Sequence, residues 1–402
     1  MSKQLKIGVL SLSFLIVLVV FLGGLGVHAS NSNDGAYRQL GVYSEVLSRI
    51  RTEYVEEPNF SAVTSGALHG LLESLDADSS YLNPDEYKFY KTHQSEGHAN
   101  VGATISKRFG YAAVVSVLPG GPADKAGVET GDIIEAIEGK STHEMSLATI
   151  QEELSGKQGS NITFAIVRPG KAEPQKITVT RDNVVIPGTA DKSVEEGIVD
   201  IQPVTLTKGK AQEIAGKIRD EQKKGAKKLI LDLRNVSDGD PTEAIAVANL
   251  FLNHGLITYL QGQKFPKQTF TADPQKAITT LPLVVLVNRG TAGPGEIVAG
   301  AILDNNRGDI VGDKTFGSGS VQKLIDIPDG SALILSIAKY YTPGGKAIED
   351  TAITPNIVVA SNIDETPLDD EDAGTPAPEE KPKQPKDDEQ LRRAVEVLKA
   401  HT

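Results

Sequence analysis

Apolar and polar positions follow three different patterns along the chain. From residue 37 to residue 90 the spacing is helical. Leu40, Tyr43, Leu47, Ile50 and Tyr54 share one face, and "VTSGALHGLLESL" repeats the period after a break at Pro58. "LDADSSYLNPDEYKFY" then reads as a polar turn and a new helix start with Pro84 early in it. An α-helical N-terminal domain is predicted over residues 31–98. Over residues 99–186 the pattern shortens to β-type runs, "VGATIS", "AAVVSVL", "DIIEAIEG", "ITFAIVR" and "KITVTR", with one helical segment at 146–154. Glycine pairs and aspartates punctuate them, which predicts a small barrel or sandwich. Over residues 187–360 apolar strands such as "KKLILDLRN" and "LPLVVLVN" alternate with helical "PTEAIAVANLFLNHG" and "GEIVAGAILDNNRG". That alternation predicts an α/β core with a parallel or mixed sheet covered by helices.

Both ends of the chain depart from these patterns. Lys3 and Lys6 precede an apolar run over residues 7–27, followed by a Val-His-Ala site suited to cleavage after Ala29. Residues 1–30 are therefore expected to be an export signal or, if uncleaved, a membrane anchor. Either outcome places the bulk of the protein outside the cytoplasm. Residues 361–402 form an acidic tail, expected to be disordered, that ends in a short amphipathic helix with Leu391, Val395 and Leu398 on one stripe. Docking of that helix on the core and binding of a partner are both open.

Composition narrows the chemistry. Formal net charge is -12, and residues 364–389 hold eleven of the acids against three lysines, so the folded part is near neutral. Such a balance excludes nucleic acid as the main partner, because phosphate binding needs clustered Lys and Arg. The absence of cysteine excludes disulfides and thiol catalysis. His28, His69, His93, His98, His143, His254 and His401 are scattered and form no metal-ligand spacing. No metal, cofactor or nucleotide site is expected.

One stretch demands a chemical reading. "VVLVNRGTAGPGEIVAG", residues 284–300, runs from a buried strand through a tight glycine turn into a helix opening at Glu296. Enzymes present nucleophiles on such elbows. This elbow contains neither serine nor cysteine.

The segment "SVLPGGPADKAGVETGDIIEAIEGKS", residues 116–141, resembles a PDZ domain of the bacterial exported kind. The resemblance implies that "NVGATI" at 100–105 is a carboxylate-binding loop. Its amides at Val101, Gly102 and Ala103 would receive a peptide's terminal carboxylate while the peptide adds a strand. Ile105, Leu147 and Ile150 would line the side-chain pocket. The alternative is that the glycines only make a turn and the pocket is collapsed core.

Helical entry, PDZ and α/β core together resemble the C-terminal processing peptidases, or tail-specific proteases, over residues 37–359. The resemblance is carried by "ILDLRN", "VVLVNRGTAGPGEIVAGAILDNNRGDIVGDKTFGSGSVQ" and "LSIAKYYTPGGKAIED". It implies a multidomain α/β protein with a curved mixed sheet in its protease-like core. The family works with a serine and a lysine; matching the motifs puts Gly293 at the serine position, Ser318 at the lysine position and Gln322 at the place of a family glutamine. Where the family reads Asn-Asn-Pro-Gly-Gly, this chain has Asn235, Val236, Ser237, Asp238 and Gly239. Asp238 and Gly239 thus stand in the candidate oxyanion loop, where a carboxylate opposes developing negative charge. Ser155 stands where the family commonly has an arginine. Covalent catalysis needs a hydroxyl beside a desolvated amine, and neither is present at the matched positions.

Three readings follow. The first is an inactive relative, a pseudoprotease that binds polypeptide C-termini and serves as adaptor, regulator or partner of an active paralogue. The second is a serine peptidase with a dyad rebuilt from Ser318, Ser320, Lys314 or Lys323. The third is a structural envelope protein. Homodimerisation through the N-terminal helices is a further expectation.

Overall fold

The computed structural model describes residues 34–94, 99–168, 173–360 and 388–400. The expected export segment and most of the acidic tail lie outside the described residues, as does His98. The chain divides between Thr64 and Ser65 into two compact units. The first is built on the helix Asp34–Glu53, where Arg49 pairs with Glu45 at 2.8 Å and Glu53 at 2.6 Å, one turn to either side. Its apolar residues Leu40, Val42 and Val46 are exposed.

In the second unit, the core holds a six-stranded sheet. Its order is Ile357–Val358, Asp309–Gly312, Leu283–Val287, Lys228–Asp232, Ile198–Gln202 and Ala190–Glu195. All neighbours are parallel except the last pair. Leu283–Val287 is apolar and buried at every position because a parallel strand at mid-sheet is covered on both faces. The period of two is preserved inside that run. Val285 and Val287 pack under the helices Lys210–Lys223, Pro241–Phe251 and Pro294–Asp304, while Val284 and Leu286 pack on the other face.

That second face is closed by the C-terminal helix Glu389–Ala400, whose Ala394, Val395, Val397 and Leu398 meet Ile198, Ile230, Val284, Leu286 and Val311. The open question about the terminal helix is thereby answered: it docks on the core. Polar ties hold its ends, Arg234 to Asp388 at 2.9 Å and Lys228 Nζ to the Leu398 carbonyl at 2.6 Å. Beneath its start lies Asp200, fully buried with one oxygen unpartnered; burial, with Asp232 beside it, pushes its carboxyl up to about 7.

The curved mixed sheet expected of the core is realised as two sheets. The second has five strands: Ser80–Leu82, Ala332–Tyr341, Leu256–Gln261 and Gln268–Thr271 in order, with Ser320–Asp326 also on Ala332–Tyr341. Ser80–Leu82, expected to be turn within a helical domain, pairs with residues 332–334. Three residues are too few to show a period, so only pairing reveals this strand.

The module at 99–186 is a sheet of Ala103–Arg108, Tyr111–Val117, Ile133–Ile137, Asn161–Val167 and Gln175–Thr180, with Lys140–Ser141 attached and the helix Leu147–Leu154 packed on it. Ser146 caps the start of this helix, its hydroxyl accepting from Thr149 N at 3.1 Å. The buried Arg181 guanidinium closes its other end, donating to the carbonyls of Glu153 at 2.6 Å and Leu154 at 3.3 Å.

Truncating the docked helix tests its contribution. Leu398→Ala is expected to lower unfolding free energy by about 2–4 kcal/mol, measured as an earlier urea midpoint. An unchanged midpoint would mean that the helix is not seated on the sheet in solution.

Candidate active site

The elbow lies where the core, its antiparallel sheet and the 99–186 module converge. Leu283–Val287 leads through a turn at 288–293 into the helix Pro294–Asp304. This helix opens at Pro294, two residues before the Glu296 start read from sequence, because a proline fits the first helical position where no amide partner exists. Gly293 is its N-cap, at φ 49 and ψ -108. A Cβ placed on Gly293 would meet only the carbonyls of Ser318 at 3.7 Å and Ser237 at 3.9 Å. Space for a side chain is therefore present, between two loops, and is empty. The positive φ is the remaining obstacle to any other residue.

Glu296 fixes this geometry. It is fully buried, and its carboxylate accepts from Gly293 N at 3.0 Å, Gly317 N at 2.9 Å, Ser318 N at 2.8 Å and the Thr315 hydroxyl. One side chain thus clamps the elbow to the 315–318 loop. Burial pushes its carboxyl up to about 7, against the pull of the four donors. The Phe316 amide adds a further tie to the Thr291 carbonyl at 2.9 Å. Sequence reading placed Glu296 in the turn motif but missed the clamp. An acid three residues after the N-cap was the available signal.

Ser318 and Gln322 are brought near the elbow on one continuous segment, with Ser318 partly buried and Gln322 exposed. Gln322 Nε2 donates to Ser320 Oγ at 2.6 Å, and Ser320 Oγ donates to Asp78 Oδ2 at 2.5 Å. Gly319 N donates to Glu349 Oε2 at 2.6 Å. Burial raises the Asp78 carboxyl, with Asp76 adding to the rise, and pushes Glu349 up to about 7, with Asp78 and Asp76 again contributing. These acids were not anticipated, because they reach the loop from residues 76–78 and 349.

On the other side of the elbow, Asn235 and Asn288 exchange bonds: Asn235 N donates to Asn288 Oδ1 at 2.9 Å, and Asn288 Nδ2 to Asn235 Oδ1 at 3.0 Å. Ser237 Oγ lies 2.5 Å from Ser116 Oγ of the 99–186 module. Approach of that module is close enough to require glycine at 290, where a Cβ would sit 2.3 Å from Asn235 Oδ1 and 3.0 Å from the Val115 carbonyl. Burial raises the Asp238 carboxyl, with the adjacent Gly239 amide opposing the rise.

Between module and core lies a cleft of about 410 Å³. Val101, Gly102, Ala103 and Ile105 line it on one side, and Asn235 and Asp238 on the other. Leu147 and Ile150 pack in the module's own core without reaching the lining, while Leu154 of the same core and Gln151, further along the helix, do reach it. Gly102 N is engaged by Asn100 Oδ1 at 2.8 Å. The strand Ala103–Arg108 is at the sheet edge, beside this cleft.

Other hydroxyls and amines near the elbow are poorly placed for chemistry. Thr291 is fully buried, and its hydroxyl donates to the Leu233 carbonyl at 2.8 Å. Lys314 and Lys323 are exposed. Among the described residues no cluster of His, Asp or Glu could hold a metal. No described helix is long and apolar enough to cross a membrane.

A PDZ-type groove facing a strand–elbow–helix defines a class, the PDZ-bearing α/β peptidases, and sequence comparison agrees. Residues 196–359 match peptidase family S41 and residues 114–168 match a PDZ domain. The carboxy-terminal-processing protease of Bartonella bacilliformis is 31% identical, with 95% of each chain covered. The carboxyl-terminal-processing protease of Picosynechococcus sp. is also 31% identical, over 89% of this chain and 91% of that one. Among solved structures, the photosystem II D1 C-terminal processing protease superposes with a TM-score of 0.66 at 26% identity, covering 79% of this chain and 86% of that one. The chain belongs to peptidase family S41, among the carboxy-terminal processing proteases.

The acids beside the 318–322 segment make stability depend on pH. With its folded value near 7 against an ordinary 4.5, Glu349 holds a proton in the native state that the unfolded chain releases. The stability this confers is complete below about 4.5 and is lost as pH rises through about 7. Glu349→Gln retains an acceptor for Gly319 N and removes the charge. It should raise Tm by roughly 2–4 °C at pH 8 and by much less at pH 5 in calorimetry. An equal gain at both pH values would refute a titrating Glu349.

Proposed function

We propose that this protein is a non-cleaving member of its family, which binds polypeptide C-termini in the PDZ groove and acts as adaptor, regulator or scaffold. The carrying observation is Gly293: at the elbow, where the side-chain space is open, there is no atom to attack with. The matched amine position, Ser318, offers only a hydroxyl, a poor base near neutral pH. Three further facts support the reading. The nearest lysines in sequence, Lys314 and Lys323, are exposed and so retain the hydration that a catalytic amine must lose. The Ser320 hydroxyl is committed to Asp78, a carboxylate. The Asp238 carboxyl stands beside the Gly239 amide, a candidate oxyanion donor, where it opposes developing negative charge. Losing nucleophile and base together leaves at most the smaller help of binding and backbone donors.

The ligand side of the proposal rests on the open edge strand Ala103–Arg108, beside a cleft with apolar walls from Val101, Ile105 and Leu154. An unstructured C-terminus adds to such an edge as a strand. Export follows from the N-terminal apolar segment at residues 7–27, with anchorage in the cytoplasmic membrane if that segment is retained. Exposed Leu40, Val42 and Val46 on the first helix suit homodimerisation. An active paralogue or an envelope protein is the proposed partner class.

Mass spectrometry of an unstructured polypeptide with an apolar C-terminus, incubated at a high ratio of this protein, is the decisive assay. Intact substrate after long incubation is expected, with the same trace from a Ser318→Ala/Ser320→Ala variant. Fragments that disappear in that variant would establish a rebuilt dyad and an active peptidase.

A further inference from the structure

The cleft between the PDZ loop and the core is chemically lopsided. Its walls are apolar or neutral: Val101, Ile105, Leu118, Leu154, Val184 and Ile186 among the first, Asn100, Gln151, Thr205 and Asn235 among the second. Among the described residues, Asp238 is the sole ionisable side chain in the lining. It stands at the core edge, opposite the loop at Val101, Gly102 and Ala103, and no ion pair among the described residues reaches it. Ser237, adjacent to Asp238, and Ser318 flank the open space at Gly293, and the segment after Ser318 is met by Asp78 and Glu349. Closer to the elbow the signs are mixed, because Arg108 at the end of the edge strand lies 5.8 Å from the Phe316 ring, so the unbalanced charge is that of Asp238 in the cleft itself.

We propose that Asp238 is a specificity-determining residue, selecting C-termini with an apolar last side chain and a Lys or Arg within the few residues before it. The proposal rests on the reading of the cleft as a C-terminal peptide site. The physical basis is twofold. A cationic side chain gains a partner in a partly desolvated cleft that supplies no other ion. An acidic one meets repulsion with no compensating cation, so discrimination works against the wrong ligand as well as for the right one. The terminal carboxylate itself is repelled by Asp238, which fixes binding polarity, carboxylate at the loop and chain toward the core.

Fluorescence anisotropy with the full-length protein tests this. The probes are fluorescein-labelled decapeptides ending in valine, with Lys, Ala or Glu placed in turn at each of the three preceding positions. At one or more positions the Lys peptide should bind about fivefold more tightly than the Ala peptide, with the Glu peptide weaker still. Asp238→Asn should erase that order, and Asp238→Lys should reverse it. Equal binding of the three peptides to the wild-type protein would overturn the role of Asp238, as would an order that survives Asp238→Asn. If even the Ala peptides fail to bind, the peptide-site reading falls and the inference with it.

Discussion

The site depends on one buried carboxylate. Glu296 draws donors from the elbow, at Gly293, and from the facing loop, at Thr315, Gly317 and Ser318, onto two oxygens in a fully dry position. Satisfying so many donors at once is what makes burial of an acid tolerable, and it leaves neither loop free to drift. The positions matched to nucleophile and base are therefore held in register by a residue that is neither. The geometry of the elbow is thereby held by Glu296 and not by the side chains at the matched positions. The clamp positions backbone, and backbone position is indifferent to the side chains that project from it.

A second constraint links the far end of the chain to the elbow. A parallel sheet needs cover on both faces, and the helices between strands supply only one face here. The terminal helix Glu389–Ala400 supplies the other, resting on Val284 and Leu286 of the strand that leads into the elbow. Its removal would expose alternate side chains of that strand. The acidic stretch at residues 361–387 is thus bracketed by ordered structure, because Gln390 also bonds back to the Val359 carbonyl at 2.9 Å.

PDZ module and core meet through small, polar contacts, the Ser116–Ser237 hydroxyl pair and the close pass of Val115 over Gly290. Joined this way, the peptide groove and the loop at 235–239 border one cleft rather than two separate sites. Asp238 borders this shared cleft from the core side.

Much of this was legible in the chain itself. Periodicity separated helical, β-rich and α/β regions, and the turn chemistry around Gly290 and Gly293 marked an elbow before any coordinates. The identities at Gly293 and Ser318 are local facts, as is the amphipathic stripe of the last helix. Sequence could not show what requires distant segments to meet. Ser80–Leu82 is a strand only because residues 332–334 lie beside it. Which residues of the PDZ helix reach the cleft depends on where along its length the core approaches, which puts Gln151 and Leu154 rather than Leu147 and Ile150 in the lining. Glu296 is a clamp, and Asp78 and Glu349 are neighbours of Ser320 and Gly319, only through pairings that span up to 242 residues. Side-chain chemistry and local period are written one residue at a time. Electrostatic environment is set by desolvation and proximity, which exist only once the tertiary fold has removed water and brought the charges together.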